Sequence, residues 1–114
     1  MLPEWTEKQL LERSGGKAAK QDIRFIYFYT PLCGTCKVGM RMLEVIAAMH
    51  PDIPVGLCNI NYAPGLAHGW QIESVPCLVR IEDGNPAALL YRLGSVQELR
   101  LWMLDESGKV TDRS

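Results

Sequence analysis

The spacing of apolar and polar positions changes along the chain, and each change marks an element. Trp5, Leu10 and Leu11 recur at roughly helical spacing with charges between them, and Pro3 suits a first turn, so an opening helix is predicted from about Pro3 to Arg13. SGGKAAKQD then breaks the pattern. IRFIYFY, Ile23 to Tyr29, is a continuous β-branched and aromatic run, the signature of a strand buried on both faces. Val38, Met42, Leu43, Val45, Ile46 and Met49 restore a helical period that should begin near Cys33 and end before Pro51.

IPVGLCNI reads as a second buried strand, and Pro64 is placed to start a short helix that Gly69 would help end. CLVRIE and AALLYRL flank the turn cluster DGNP and predict an antiparallel hairpin. Val96, Leu99, Leu101, Trp102 and Leu104 form a closing helix, with Ser95 as N-cap and Glu98 placed for a capping box. SGKVTDRS is polar and aperiodic. The pattern therefore predicts one α/β domain over residues 1–106, a frayed tail over 107–114, and parallel strands joined by a helical crossover ahead of an antiparallel hairpin.

Composition narrows the function. With 114 residues, 47% hydrophobic and 22% charged, the chain can bury a core without obligatory staples. A net charge of -1 carries no footprint for nucleic acid or another polyanion. The N-terminal stretch has neither a basic nor an apolar leader region, and no apolar run approaches a membrane span, so a cytoplasmic protein without membrane contact is expected. In a reducing compartment, the pair Cys33 and Cys36 favours reversible redox chemistry over a permanent staple.

The order of motifs is more specific than any one of them. A strand leads to Cys33-Gly34-Thr35-Cys36-Lys37 at a predicted helix start; Val75-Pro76 precedes a later strand, and Gly94 follows the last. From Ile23 to Glu106 the chain resembles a thioredoxin. The resemblance implies a thioredoxin-like fold, a central mixed sheet flanked by helices with a cis peptide bond before Pro76. It also implies a thiol-disulfide oxidoreductase that reduces cytoplasmic protein disulfides. The family's first strand has no clear counterpart here, so a shortened sheet is expected.

On that reading Cys33 is the nucleophile and Cys36 the resolving thiol. A thiolate attacks a disulfide, and a free cysteine, with a pKa of about 8.5, needs a local positive field to ionise at neutral pH. A helix N-terminus, aided by Lys37, supplies one. Gly34 and Thr35 would allow the tight turn, with a Thr35 hydroxyl near the thiolate. Leu32, Val75, Pro76 and Gly94 would border a groove in which an extended client segment bonds to the Val75 backbone. Neither a cofactor nor a metal is expected. The implied partners are disulfide-bearing client proteins and, as electron donor, a thioredoxin reductase or a small thiol; the protein is expected to act as a monomer.

The chain also departs from the family. Tyr27 stands where the family has a buried acid, and tyrosine is a poor base at neutral pH, which makes it a core residue on this reading. The acid's lysine partner is missing from the apolar PVGLCNI, Leu32 replaces a tryptophan, and Thr35 a proline. Cys58 falls in a buried strand and reads as packing. Cys77 follows Pro76 and reads as packing, with a regulatory thiol as the alternative. His50 and His68 read as structural or solvated, and Trp5, Trp70 and Trp102 as core residues on helical faces. Two competing functions use the same residues: a binding adaptor without turnover, and a zinc or iron–sulfur carrier, for which Cys58 and Cys77 lack the second-knuckle spacing.

Overall fold

Four strands form one mixed sheet in the order β2-β1-β3-β4: β1 Phe25–Tyr29, β2 Val55–Asn59, β3 Cys77–Glu82 and β4 Asn85–Leu90. The structure is a computed structural model and describes residues 2–13 and 23–105; SGGKAAKQD and the tail over 107–114 lie outside the described residues. β1 runs parallel to β2 and antiparallel to β3, which pairs antiparallel with β4. Among the described residues, four α-helices cover the sheet: α1 Glu7–Arg13, α2 Gly34–Met49, α3 Pro64–Gly69 and α4 Val96–Leu104.

Because side chains alternate along a strand, β1 sends Phe25 and Tyr27 to one face and Ile26 and Phe28 to the other. The first face packs with Leu43 and Ile46 of α2 and Leu99, Trp102 and Met103 of α4. The second packs with Leu10 of α1 and Leu66 of α3, and includes Cys58, Cys77 and Val79. Burying each such large side chain contributes about 1.5–3 kcal/mol. A buried arginine interrupts the first face: Arg80 donates to the Trp102 carbonyl at 2.7 Å, with its guanidinium 4.5 Å from the Trp102 ring and 5.3 Å from that of Phe25. Those contacts compensate a charge that burial otherwise disfavours.

The opening helix is shorter than its apolar spacing predicts. The Thr6 hydroxyl accepts from the Gln9 amide at 3.1 Å, and the Gln9 side chain accepts from the Thr6 amide at 2.9 Å. This reciprocal cap fixes the first helical residue at Glu7. Pro3–Trp5 instead runs beside β2, with the Leu57 amide donating to the Pro3 carbonyl at 2.8 Å and the Trp5 amide to the Leu57 carbonyl at 2.7 Å. Trp5 therefore reaches the core from extended chain, its indole lying over Gly56, where any Cβ would collide with it. Trp70 caps the end of α3 and meets Phe28 edge-on; Trp102 alone of the three follows the helical-face expectation.

Two other boundaries move for local reasons. Asp83 (φ 56°) and Gly84 (φ 80°) form a two-residue hairpin turn, so Asn85 and Pro86 already belong to β4. β4 is an edge strand, where proline's missing amide is tolerated. In α2 two apolar stripes compete. Cys36, Gly39, Leu43 and Ile46 face the sheet, leaving Val38, Val45 and Met49 exposed. Ser95 and Glu98 form the expected capping box of α4, whose Leu101 is exposed.

Candidate active site

β1 ends where Pro31 removes a ladder amide. The Cys33 amide donates to the Thr30 carbonyl at 3.3 Å, closing a four-residue turn with Pro31 at its second position. Cys33 then N-caps α2: its Sγ accepts from the Cys36 amide at 3.1 Å, and its carbonyl accepts from the Lys37 amide at 3.3 Å. Cys33 and Cys36 are joined as a disulfide with a Cα–Cα separation of 5.2 Å. The two sulfurs differ in access, since Cys33 is half-buried and Cys36 is 0% exposed. The Thr35 hydroxyl lies 3.4 Å from Cys33 Sγ. Gly34 has open space where a Cβ would stand, so the turn does not require a glycine there.

The remaining expected residues gather at the same end of the sheet. Cys77 pairs with Phe28, which brings Pro76 level with the end of β1, and the Val75-Pro76 peptide is cis. The Tyr91 hydroxyl accepts from the Glu73 amide at 3.1 Å and holds the segment leading to Val75. Gly94 has φ 71°, a left-handed conformation that suits glycine, and Leu93 beside it packs near Gly39 of α2. Leu32 is 95% exposed on the turn before Cys33. Lys37 is exposed one turn along α2.

Cys58 and Cys77 flank Phe28 on adjacent strands, away from the disulfide's face, and both are buried free thiols. Burial pushes each up to about 12; the nearby Glu4 and Glu7 carboxylates add to the rise at Cys58, while hydrogen bonds from Tyr91 and Leu90 partly oppose it at Cys77. Among the described residues, no three Cys, His, Asp or Glu side chains converge on one point. His50 caps the end of α2 and accepts from Arg100 Nε at 3.0 Å.

Tyr27 is fully buried beneath α2, and its hydroxyl donates to the Cys36 carbonyl at 2.9 Å. The reading of Tyr27 as core is correct for the ring but misses this bond. Gly39 makes it possible, because a Cβ there would strike the Tyr27 hydroxyl. A glycine inside a periodic helical segment was the signal available in the sequence.

A sequence profile described as Thioredoxin matches residues 15–103. The chain belongs to the thioredoxin family. It is 40% identical over 80 residues to the thioredoxin-like protein YusE of Bacillus subtilis, covering 70% of this chain and 76% of that one. To the thioredoxin of Chlamydia pneumoniae it is 33% identical over 61 residues, a match spanning 54% of this chain and 60% of that relative. The oxidised crystal structure of mitochondrial thioredoxin 3 from Saccharomyces cerevisiae superposes with a TM-score of 0.72 at 21% identity, over 91% of this chain and 94% of that one. A member of this family with a Cys33–Cys36 disulfide at a helix N-terminus is equipped for thiol-disulfide exchange. No helix among its described residues is long and apolar enough to cross a membrane.

Proposed function

We propose that this thioredoxin reduces disulfides of cytoplasmic proteins, with Cys33 as nucleophile and Cys36 as resolving thiol. The observation that carries the reading is the unequal access of the two sulfurs. The Cys33 thiolate attacks one sulfur of a client disulfide, which forms a mixed disulfide and releases the other client sulfur as a thiolate. Cys36, once deprotonated, attacks Cys33 Sγ and expels the second client thiolate, so the client gains two electrons and the Cys33–Cys36 pair loses them. A thioredoxin reductase or a small thiol restores the dithiol. The protein acts as a monomer. Leu32, Val75, Pro76 and Gly94 border the docking groove, with Leu32 offering an aliphatic contact and the Val75 backbone a strand-like edge.

The test is covalent capture. A Cys36→Ser variant keeps the accessible nucleophile but cannot resolve the mixed disulfide, so thiol-reversible adducts with cytoplasmic proteins should accumulate on non-reducing electrophoresis. Cys33→Ser should give almost none. Equal capture by both variants, or adducts mapped to Cys77, would refute the assigned roles.

A further inference from the structure

We infer that Tyr27 is a positioning residue for Cys36, its hydroxyl anchoring the Cys36 carbonyl so that the resolving thiol stays aimed at Cys33 Sγ, with Gly39 leaving the room this contact needs. The inference rests on the exchange reaction proposed above. The hydroxyl is buried, sits beneath the first turn of α2, and donates to the Cys36 carbonyl at 2.9 Å. That carbonyl already lies within the helix, so the tyrosine bond is an addition to the ladder and not a replacement for it. Its effect is to fix the peptide that follows Cys36, and hence the direction of the Cys36 side chain, when the disulfide opens and no longer ties the turn together. Gly39 stands one turn further on; a Cβ there would meet the Tyr27 hydroxyl and the end of Leu93. Burial also holds the phenol protonated well beyond its ordinary range, so Tyr27 acts as a donor and not as a base for the Cys36 proton.

Reduced full-length protein mixed with 5,5′-dithiobis(2-nitrobenzoate) separates the two steps. Attack by Cys33 releases one thionitrobenzoate and leaves a Cys33–thionitrobenzoate disulfide; attack by Cys36 releases the second and closes Cys33–Cys36. In Tyr27→Phe, which keeps the ring, the first phase should stay within about two-fold of wild type, and the second should slow about three- to ten-fold with an unchanged pH midpoint. Gly39→Ala should also slow the second phase, because its Cβ would displace the Tyr27 hydroxyl together with the end of Leu93. An unchanged second phase in Tyr27→Phe, with two equivalents still released by wild type, would overturn this inference alone. A shifted pH midpoint would show that Tyr27 acts on the acidity of Cys36 and not on its position, and would also overturn it. Release of only one equivalent by wild type would overturn the exchange reaction itself.

Discussion

The Cys36 amide donates to Cys33 Sγ at 3.1 Å, so the backbone of one cysteine aims a hydrogen-bond donor at the sulfur of the other. In the reduced protein this donor, together with the amides of the first helical turn, favours the Cys33 thiolate. Iodoacetamide at mildly acidic pH should therefore label Cys33 first, on the order of ten-fold faster than an unperturbed thiol. Peptide mapping reads the order. Equal labelling of Cys33 and Cys77 would contradict the activation.

Cys58 and Cys77 should react only on unfolding, and they should leave a mark on alkaline stability. Each buried thiol keeps its proton up to about 12, whereas in the unfolded chain it ionises near 9.0. Above that unfolded value the unfolded chain binds fewer protons than the folded one. The thiols' contribution is thus fully present below pH about 9 and is lost as pH rises toward about 12, at up to ~1.4 kcal/mol per pH unit for each thiol. Urea unfolding of wild type and of the Cys58→Ala/Cys77→Ala variant between pH 8 and about 10.5 should show the shallower decline in the variant.

Glu7 links two helices. Its Oε2 accepts from the Leu66 amide at 2.7 Å and so caps the N-terminus of α3, whose N-cap residue, Ala63, offers no side-chain acceptor. Glu7→Ala should cost about 1–2 kcal/mol in urea unfolding, and Glu7→Gln, which retains an acceptor, less than half of that. Identical losses would show that the carboxylate's hydrogen bond is not what holds α3.

Much of this arrangement was legible in the sequence. The apolar runs of β1 and β2, the CGTC pair at a helix start, and the Ser95–Glu98 cap each depend on neighbours in the chain, which is why pattern alone locates them. The start of α1 was equally local, since Thr6 and Gln9 form its cap, but the spacing of Trp5 and Leu10 mimicked a longer helix. Which stripe of α2 faces inward is another matter. Val38, Val45 and Met49 fit a helical period as well as the buried stripe does, and only the placement of the sheet chooses between them. The Tyr27 bond to Cys36 has the same character, because it exists only once β1 and α2 are stacked.

Arg80 offers a test of how the core tolerates charge. Burial lowers the ease with which it holds its proton, and the aromatic faces of Phe25 and Trp102 and the Trp102 carbonyl supply what water would have. Arg80→Met keeps an apolar stem of similar length and should cost less than about 1.5 kcal/mol; Arg80→Ala, which opens a void between the two rings, should cost about 2–4 kcal/mol. Urea unfolding followed by tryptophan fluorescence distinguishes the two. A Met variant as unstable as the Ala variant would mean that the charge itself holds this corner.

The extended residues before α1 bear on colloidal behaviour. β2 is the outermost strand on its side of the sheet, and a bare strand edge is a template on which other chains polymerise. Here the outward amide and carbonyl of Leu57 are both taken by Pro3 and Trp5, and Tyr29, whose hydroxyl donates to Glu4 Oε2 at 2.6 Å, fastens that cover in place. Pro3 has no amide of its own to offer a further strand. The bridge at Glu4 therefore works as a selvedge, finishing this side of the sheet so that another chain is not recruited along the β2 backbone.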